Sequence, residues 1–219
     1  MICFFDMDRT LIAGNSSVSF MRYCLRRGKA TRWKVMKSIG YYLLYRYDLL
    51  DMKKAYWDFL RLLVGTREED LTQFCLEWFE DEIRNLIYPQ AADIVRQHLH
   101  WGERVVIISS ASTYAVAPLA RYLDVPYVLA TQLEVRQGVF TGNYIEPLCF
   151  RHGKVFWAEK LAEDLAEEIG GSTFYTDSIT DLPLLERVGN RQVVNPDPKL
   201  SSLAKKRGWP IWDLEASKI

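Results

Sequence analysis

Five short runs of apolar and β-branched residues, Ile2 to Phe5, Val105 to Ser109, Tyr127 to Ala130, Ser172 to Tyr175 and Gln192 to Val194, are bounded by turn residues. Helical stripes fill the later intervals, for example Ala158, Leu161, Leu165 and Ile169, then Leu200, Leu203 and Ala204. This alternation predicts an α/β fold with an open parallel sheet and helices on both faces. Parallel neighbours need a crossover between them, and each crossover helix covers a face. Sites in such sheets form at the carboxyl ends of the strands.

The first two runs are separated by about a hundred residues, far more than one crossover helix requires. The interval reads as helical. Met52, Ala55, Tyr56, Phe59, Leu60 and Leu63 keep a 3.6-residue spacing, as do Leu71, Phe74, Cys75, Trp78 and Phe79. Thr66 and Glu69 are spaced as a capping box for the second stripe, and Pro89 suits the first turn of a helix that returns to the core. The expected organisation is a catalytic core of residues 1–14 and 86–219 with an inserted all-helical domain of residues 15–85. A second, smaller feature lies at Leu133 to Tyr144, where alternation on either side of Gln137-Gly138 predicts a β-hairpin that adds a small flap near the site.

Of the 219 residues, 49% are hydrophobic and 26% charged, an ordinary globular profile, and the formal net charge is zero. That zero hides an asymmetry. Phe20 to Val64 carries eleven Lys or Arg against three Asp, whereas Gly65 to Asp93 carries two against eight acidic residues. A solvated surface explains either half. Alternatively the basic, aromatic-rich half (Arg22, Arg26, Arg27, Arg32, Lys34, Lys37, Trp33, Tyr41, Tyr42, Tyr45) faces an anionic substrate or a membrane surface. No nucleic-acid module is recognisable, and no nucleic-acid partner is expected.

Cys3, Cys24, Cys75 and Cys149 are scattered without a C-x-x-C pair, so they read as buried free thiols rather than a zinc site. No basic segment precedes the first apolar run, and the longest charge-free stretch, Val105 to Ala120, is too short and too rich in Ser and Thr to cross a bilayer. A cytoplasmic protein is expected. His98 and His100, just before Trp101-Gly102, are expected at the surface or as caps, and His152 adjoins Lys154.

Chemistry gathers where the strands end. Asp6 and Asp8 follow the first run two positions apart, so they point to nearly the same side. Two like charges so close are costly unless a cation binds or one holds a proton. Ser110, Ala111 and Ser112 follow the second run, Lys154 opens an amphipathic helix, and Asp177-Ser-Ile-Thr-Asp181 follows the fourth run. Each piece alone has an ordinary structural reading as a turn, cap or surface residue. Their common placement does not.

Taken together, Asp6-Met-Asp8-Arg-Thr10-Leu, Ile-Ile-Ser-Ser110-Ala-Ser, Gly153-Lys154 and Thr176-Asp177-Ser-Ile-Thr-Asp181 resemble the four ordered motifs of the haloacid dehalogenase superfamily. The likeness is to its phosphoserine-phosphatase-like branch (subfamily IB), with a Rossmann-like core and a helical C1 cap. The resemblance implies a phosphatase acting through an aspartyl-phosphate on a small phosphorylated substrate. Asp6 would be the nucleophile, and Asp8 the acid and then the base. Thr10 would position Asp8, while Ser110, the Ala111 amide and Lys154 would bind the phosphoryl oxygens. Mg2+ would lie on Asp6, the Asp8 carbonyl and Asp177, with Asp181 holding a metal-bound water or orienting Lys154.

The chain departs from that pattern at Arg9, where many members have Gly, at Ala111-Ser112, where phosphoserine phosphatases have Gly-Gly, and at Thr176 and Thr180, where they have Gly and Asn. Arg9 would contact the leaving group or point outward. The expected substrate is a small alcohol phosphate of the histidinol phosphate or phosphoserine type, the departures counting against phosphoserine itself; the alternative is a lipid such as phosphatidylglycerophosphate at a membrane surface. A phosphotransferase and a catalytically silent binding module complete the alternatives.

Overall fold

The computed structural model describes residues 1–46 and 52–215. Its strands are β1 (Ile2–Phe5), β2 (Arg104–Ser112), β3 (Tyr127–Thr131), β4 (Leu133–Arg136), β5 (Val139–Tyr144), β6 (Thr173–Thr176), β7 (Asn190–Val194) and β8 (Ile211–Trp212). Its helices are α1 (Ser16–Arg26), α2 (Arg32–Arg46), α3 (Met52–Leu60), α4 (Glu68–Trp78), α5 (Pro89–His100), α6 (Thr113–Tyr122), α7 (His152–Asp164), α8 (Leu182–Leu185) and α9 (Pro198–Arg207). Six strands form one parallel sheet in the order β3-β2-β1-β6-β7-β8. The short β8, absent from the sequence reading, extends this sheet beyond β7.

Burial follows the period of two. Cys3 and Phe5 of β1 join Val105 and Ile107 of β2 in one apolar layer with α5 and α6, while Ile2 and Phe4 join Val106 and Ile108 in a second layer with α7 and α9. Both faces of the central strands are therefore dry, which is why they read as continuous apolar runs.

The insert is helical through α1 to α4, closing through a π-type turn (Phe79–Ile83) and a 3₁₀ turn (Arg84–Leu86). Leu71, Phe74, Cys75, Trp78 and Phe79 are all buried, as their spacing requires. The side chains of Met52 and Ala55, from the other stripe, lie outside the described residues, as do those of Lys34, Tyr42 and Tyr45.

The expected capping box does not form. Helix α4 starts one residue later, with Arg67 at the N-cap, and Glu69 pairs with Arg67 rather than reaching back to Thr66. Thr66 is drawn away because its carbonyl accepts from the Phe140 amide of the hairpin. The Gly65 and Glu68 amides donate to Phe140 and Gly138, so backbone bonds fasten the hairpin to the α3–α4 junction. The hairpin turn is where it was expected: Gln137 and Gly138 both have positive φ, as a type I′ turn demands.

Two residues of the basic half, Arg26 and Arg27, find acidic partners within the insert. Arg26 pairs with Glu82, Arg27 with Asp81 and Glu77, and Tyr23 donates to Asp81. These two arginines thus pair with α4 and its π-type turn while remaining partly exposed.

His98 is also misplaced by the sequence reading. It is buried, not superficial, and shares a network with Cys3 (Sγ to Nδ1, 3.3 Å), Glu103 and the Tyr175 hydroxyl (3.0 Å to Nε2). Cys3 Sγ lies 3.0 Å from the same Glu103 oxygen. All four cysteines are buried free thiols. Burial alone would raise the Glu103 carboxyl, but hydrogen bonds from Cys3 and His98 outweigh it and hold it below the usual range. A depressed folded value stabilises the protein above the unfolded carboxylate pKa, and that gain disappears as pH falls through the folded one. Glu103→Gln is therefore expected to lower the urea midpoint at pH 7 and to narrow the gap from the parent chain as pH falls below about 4. A gap constant across that range would show that the carboxylate contributes nothing.

Candidate active site

Strand β1 lies at the point where the sheet order reverses, with β2 on one side and β6 on the other. Crevices open at such switch points, beyond the carboxyl ends of the strands. Asp6 follows β1 directly, its amide donating to the Tyr175 carbonyl (2.9 Å), and its side chain is buried.

Lys154 organises this crevice. Its Nζ donates to Asp6 Oδ1 at 2.6 Å and to Asp181 Oδ2 at 2.7 Å, and its side chain is 2% exposed. One of the two roles left open for Asp181, orienting Lys154, is thus visible in the geometry. A buried ammonium must be paired, and here two carboxylates share it. Lys154 reaches the site because Gly153, beside it at the start of α7, lets the chain press against the preceding loop. A Cβ there would lie 1.8 Å from the Leu148 carbonyl oxygen.

Asp8 is held by the start of α1: Ser16 N and Oγ donate to it at 2.9 and 3.1 Å, and Asn15 Nδ2 at 3.0 Å. Thr10, expected in that role, does not fill it. Its Oγ1 is buried and makes no hydrogen bond among the described residues. The signal for Asn15 and Ser16 was present as an N-cap pattern, Asn15 Oδ1 accepting from Val18 N. Burial pushes Asp8 up to about 6, against the Ser16 hydrogen bonds and the charge of Lys154. Asp6 is also raised, by burial and by Asp181 and Asp8, with Lys154 opposing.

Strand β2 runs three residues beyond its expected end and carries a bulge there. Ser109 pairs with Ala130 and Ser112 with Thr131, leaving Ser110 and Ala111 as the unpaired pair between them. A bulge re-aims side chains, and this one sits where Ser110 and the Ala111 amide were expected to meet phosphate. The Ser110 carbonyl accepts from Thr131 Oγ1 (3.1 Å) and from the Tyr56 hydroxyl of α3. Tyr56, which the sequence reading took only as an apolar stripe residue, therefore ties the insert to this segment.

The β6–α8 loop explains both threonine departures. Thr176 Oγ1 donates to Asp181 Oδ2 (2.7 Å) and accepts from Ser178 N, while Thr180 Oγ1 and Ser178 Oγ lie 2.9 Å apart. Asp197 closes the loop from behind: its amide donates to the Asp177 carbonyl, and its carboxylate accepts from Ile179 N and Leu200 N. His152 is exposed at the first turn of α7.

Asp6, Asp177 and Asp181 supply only oxygen donors. Asp181 Oδ1 is fully buried and makes no hydrogen bond among the described residues, as an atom reserved for a cation or its water would be. The donor set fits a hard divalent cation.

A buried lysine between two strand-end aspartates thus sits at the reversal of the sheet order, where ligands bind in open α/β sheets. The chain matches the model of the haloacid dehalogenase-like hydrolases over residues 3–186, and it belongs to that family. It is a phosphatase of the family: a histidinol-phosphatase of Neisseria meningitidis is 30% identical over 96% of this chain and 97% of its own length. A probable phosphatase of Mycobacterium tuberculosis is 33% identical over 95% of this chain and 73% of its own. A solved structure from Bordetella pertussis, of a protein with unknown function, has a TM-score of 0.88 at 30% identity, covering 97% of both chains.

Gly153→Ala tests how the lysine is placed. With backbone rather than a flexible side chain in the way, the substitution is expected to destabilise the protein by about 2 kcal/mol or more in urea unfolding. A cost below about 0.5 kcal/mol would mean that the loop carrying Leu148 yields freely.

Proposed function

We propose that the protein is a magnesium-dependent phosphomonoesterase that hydrolyses a small alcohol phosphate of the histidinol phosphate type through an aspartyl-phosphate. The observation that carries this reading is Lys154 bridging Asp6 and Asp181, which leaves Asp6 Oδ2 for phosphorus. The helical residues 15–85 act as a cap over the crevice.

In this reading Asp6 attacks the phosphoryl group in line, and one hard hydrolysis becomes two easier steps. Lys154 meets the equatorial oxygens with Ser110 beside it, and the Ala111 amide joins them by leaving Ser109 Oγ, to which it donates at 3.2 Å. Asp8, whose raised pKa keeps part of it protonated near pH 6, gives its proton to the leaving alkoxide. It then takes a proton from the water that cleaves the acyl phosphate. Asp6, the Asp8 carbonyl and Asp177, with Asp181 Oδ1 nearby, would hold a magnesium ion, which when bound would supply charge neutralisation at the phosphate oxygens. The full-length relative named a histidinol-phosphatase favours that substrate class, and the closed hydroxyl network of Thr176 and Thr180 is compatible with unaltered phosphoryl chemistry.

Asp6→Asn is expected to abolish turnover of both histidinol phosphate and an aryl phosphate, with the fold retained by circular dichroism. Turnover within about tenfold of the parent enzyme would sink the covalent mechanism.

A second reading, a lipid phosphate as substrate, rests on α2. Trp33 and Met36 are 71% and 64% exposed and Leu44 is 41% exposed, all on one helical face, and no acidic residue occurs from Phe20 to Tyr47. Cosedimentation with phosphatidylglycerol vesicles at low salt, lost in Trp33→Ser, is the expected outcome of that reading. Absence of binding by the parent protein would remove it.

A further inference from the structure

Arg9 stands beside the acid Asp8 in a backbone conformation that suits glycine. Its φ is +58°, in the left-handed region, where a side chain costs roughly 1–2 kcal/mol. Such strain persists only where surrounding structure enforces it, and three backbone-directed contacts do so here. The Arg9 amide donates to the Gly14 carbonyl at 3.2 Å. Asn195 Nδ2 donates to the Arg9 carbonyl at 3.3 Å, and Arg9 Nη2 donates to the Asn195 carbonyl at 3.5 Å. Asn195 is fixed in turn, since its amide donates to the Trp212 carbonyl and its Oδ1 accepts from Leu214 N. The edge strand β8 and the segment after it thus brace Arg9 from across the sheet.

This brace aims a guanidinium at a candidate metal ligand. Arg9 Nε lies 3.2 Å from Asp177 Oδ2, with Asp177 only 3% exposed and Arg9 32% exposed. At Nε the contact is an ion pair rather than a hydrogen bond. A divalent cation approaching Asp177 meets a positive charge already on its ligand.

We infer that Arg9 is a tethered counter-ion that occupies the cation position of Asp177 and competes with the divalent metal, so that it sets metal affinity and gives way when metal binds. The inference rests on the magnesium reading proposed above and deepens it. Two opposed effects follow from one side chain. Arg9 stabilises the metal-free site, where Asp6, Asp8, Asp177 and Asp181 share Lys154 as the other nearby cation, and it raises the metal concentration needed to fill the site. Displaced from Asp177, the guanidinium remains tethered through its backbone beside Asp8.

The test is magnesium binding without substrate, by isothermal titration calorimetry, on the parent protein, Arg9→Gln, Arg9→Gly and Asp177→Asn. Arg9→Gln is expected to bind magnesium on the order of fivefold more tightly, because a competing like charge has gone. Arg9→Gly should do the same and also relieve the backbone strain, so its melting temperature in saturating magnesium should equal or exceed that of the parent. The magnesium-induced rise in melting temperature should be larger in both variants than in the parent. Unchanged or weaker affinity in Arg9→Gln, with a normal circular dichroism spectrum, overturns the inference. The underlying metal reading fails separately, and takes the inference with it, if neither the parent nor any Arg9 variant binds magnesium or if Asp177→Asn binds as well as the parent.

Discussion

The buried ammonium of Lys154 is the interaction around which the rest of the site is arranged. Without it, Asp6 and Asp181 would be two carboxylates in a dry crevice, and at least one would have to hold a proton. With it, the pair tolerates burial, and the two oxygens not engaged by Lys154, Asp6 Oδ2 and Asp181 Oδ1, are left with no partner from the lysine. The sheet delivers the aspartates from β1 and from the turn after β6, which are neighbouring strands. The lysine comes from α7 on one face. That placement depends on the missing Cβ of Gly153, so a packing constraint in one turn governs the charge balance of the crevice.

A second layer of hydroxyls and amides fixes what the lysine alone cannot. Asp8 is aimed by α1, the first helix of the insert, and not by its own strand. Asp181 is aimed by Thr176, and the whole β6–α8 loop by Asp197 at the N-terminus of α9. Elements distant in sequence therefore converge on four carboxylates, and each contributes a short polar side chain whose partner is a buried oxygen or amide. Such residues look interchangeable in a sequence, but their satisfaction is specific to one geometry.

Much of this was legible in advance for an identifiable reason. Strand existence follows from runs such as Ile2 to Phe5, which must be apolar throughout because both faces are covered. The strand-end aspartates were legible because charged groups break those runs, and Lys154 because Gly153-Lys154 opens a helix in the order the family resemblance requires. What stayed hidden depends on contacts between distant segments. The bulge at Ser110 and Ala111 needs the β3 partner to be recognised. The capping box at Thr66 looked sound locally and lost to hydrogen bonds with a hairpin more than seventy positions away. His98 looked like an end-of-helix surface residue, yet Cys3, Glu103 and Tyr175 from three other segments surround it. Arg9 showed only that glycine was missing. Its left-handed backbone and its ion pair with Asp177 became visible in three dimensions.

The Ser110 carbonyl has two donors, Tyr56 from the insert and Thr131 from the core. If α3 swings outward, the Tyr56 bond breaks and the phenol finds water, while Thr131 stays in place and the acceptor is never orphaned. Separation at this point costs roughly 1 kcal/mol rather than the larger penalty of a stranded buried oxygen. The Tyr56 phenol is thus one of several ties between the insert and the core, beside the Tyr114 hydroxyl of α6, which donates to Glu68 of α4, and the bonds from Asn15 and Ser16 to Asp8.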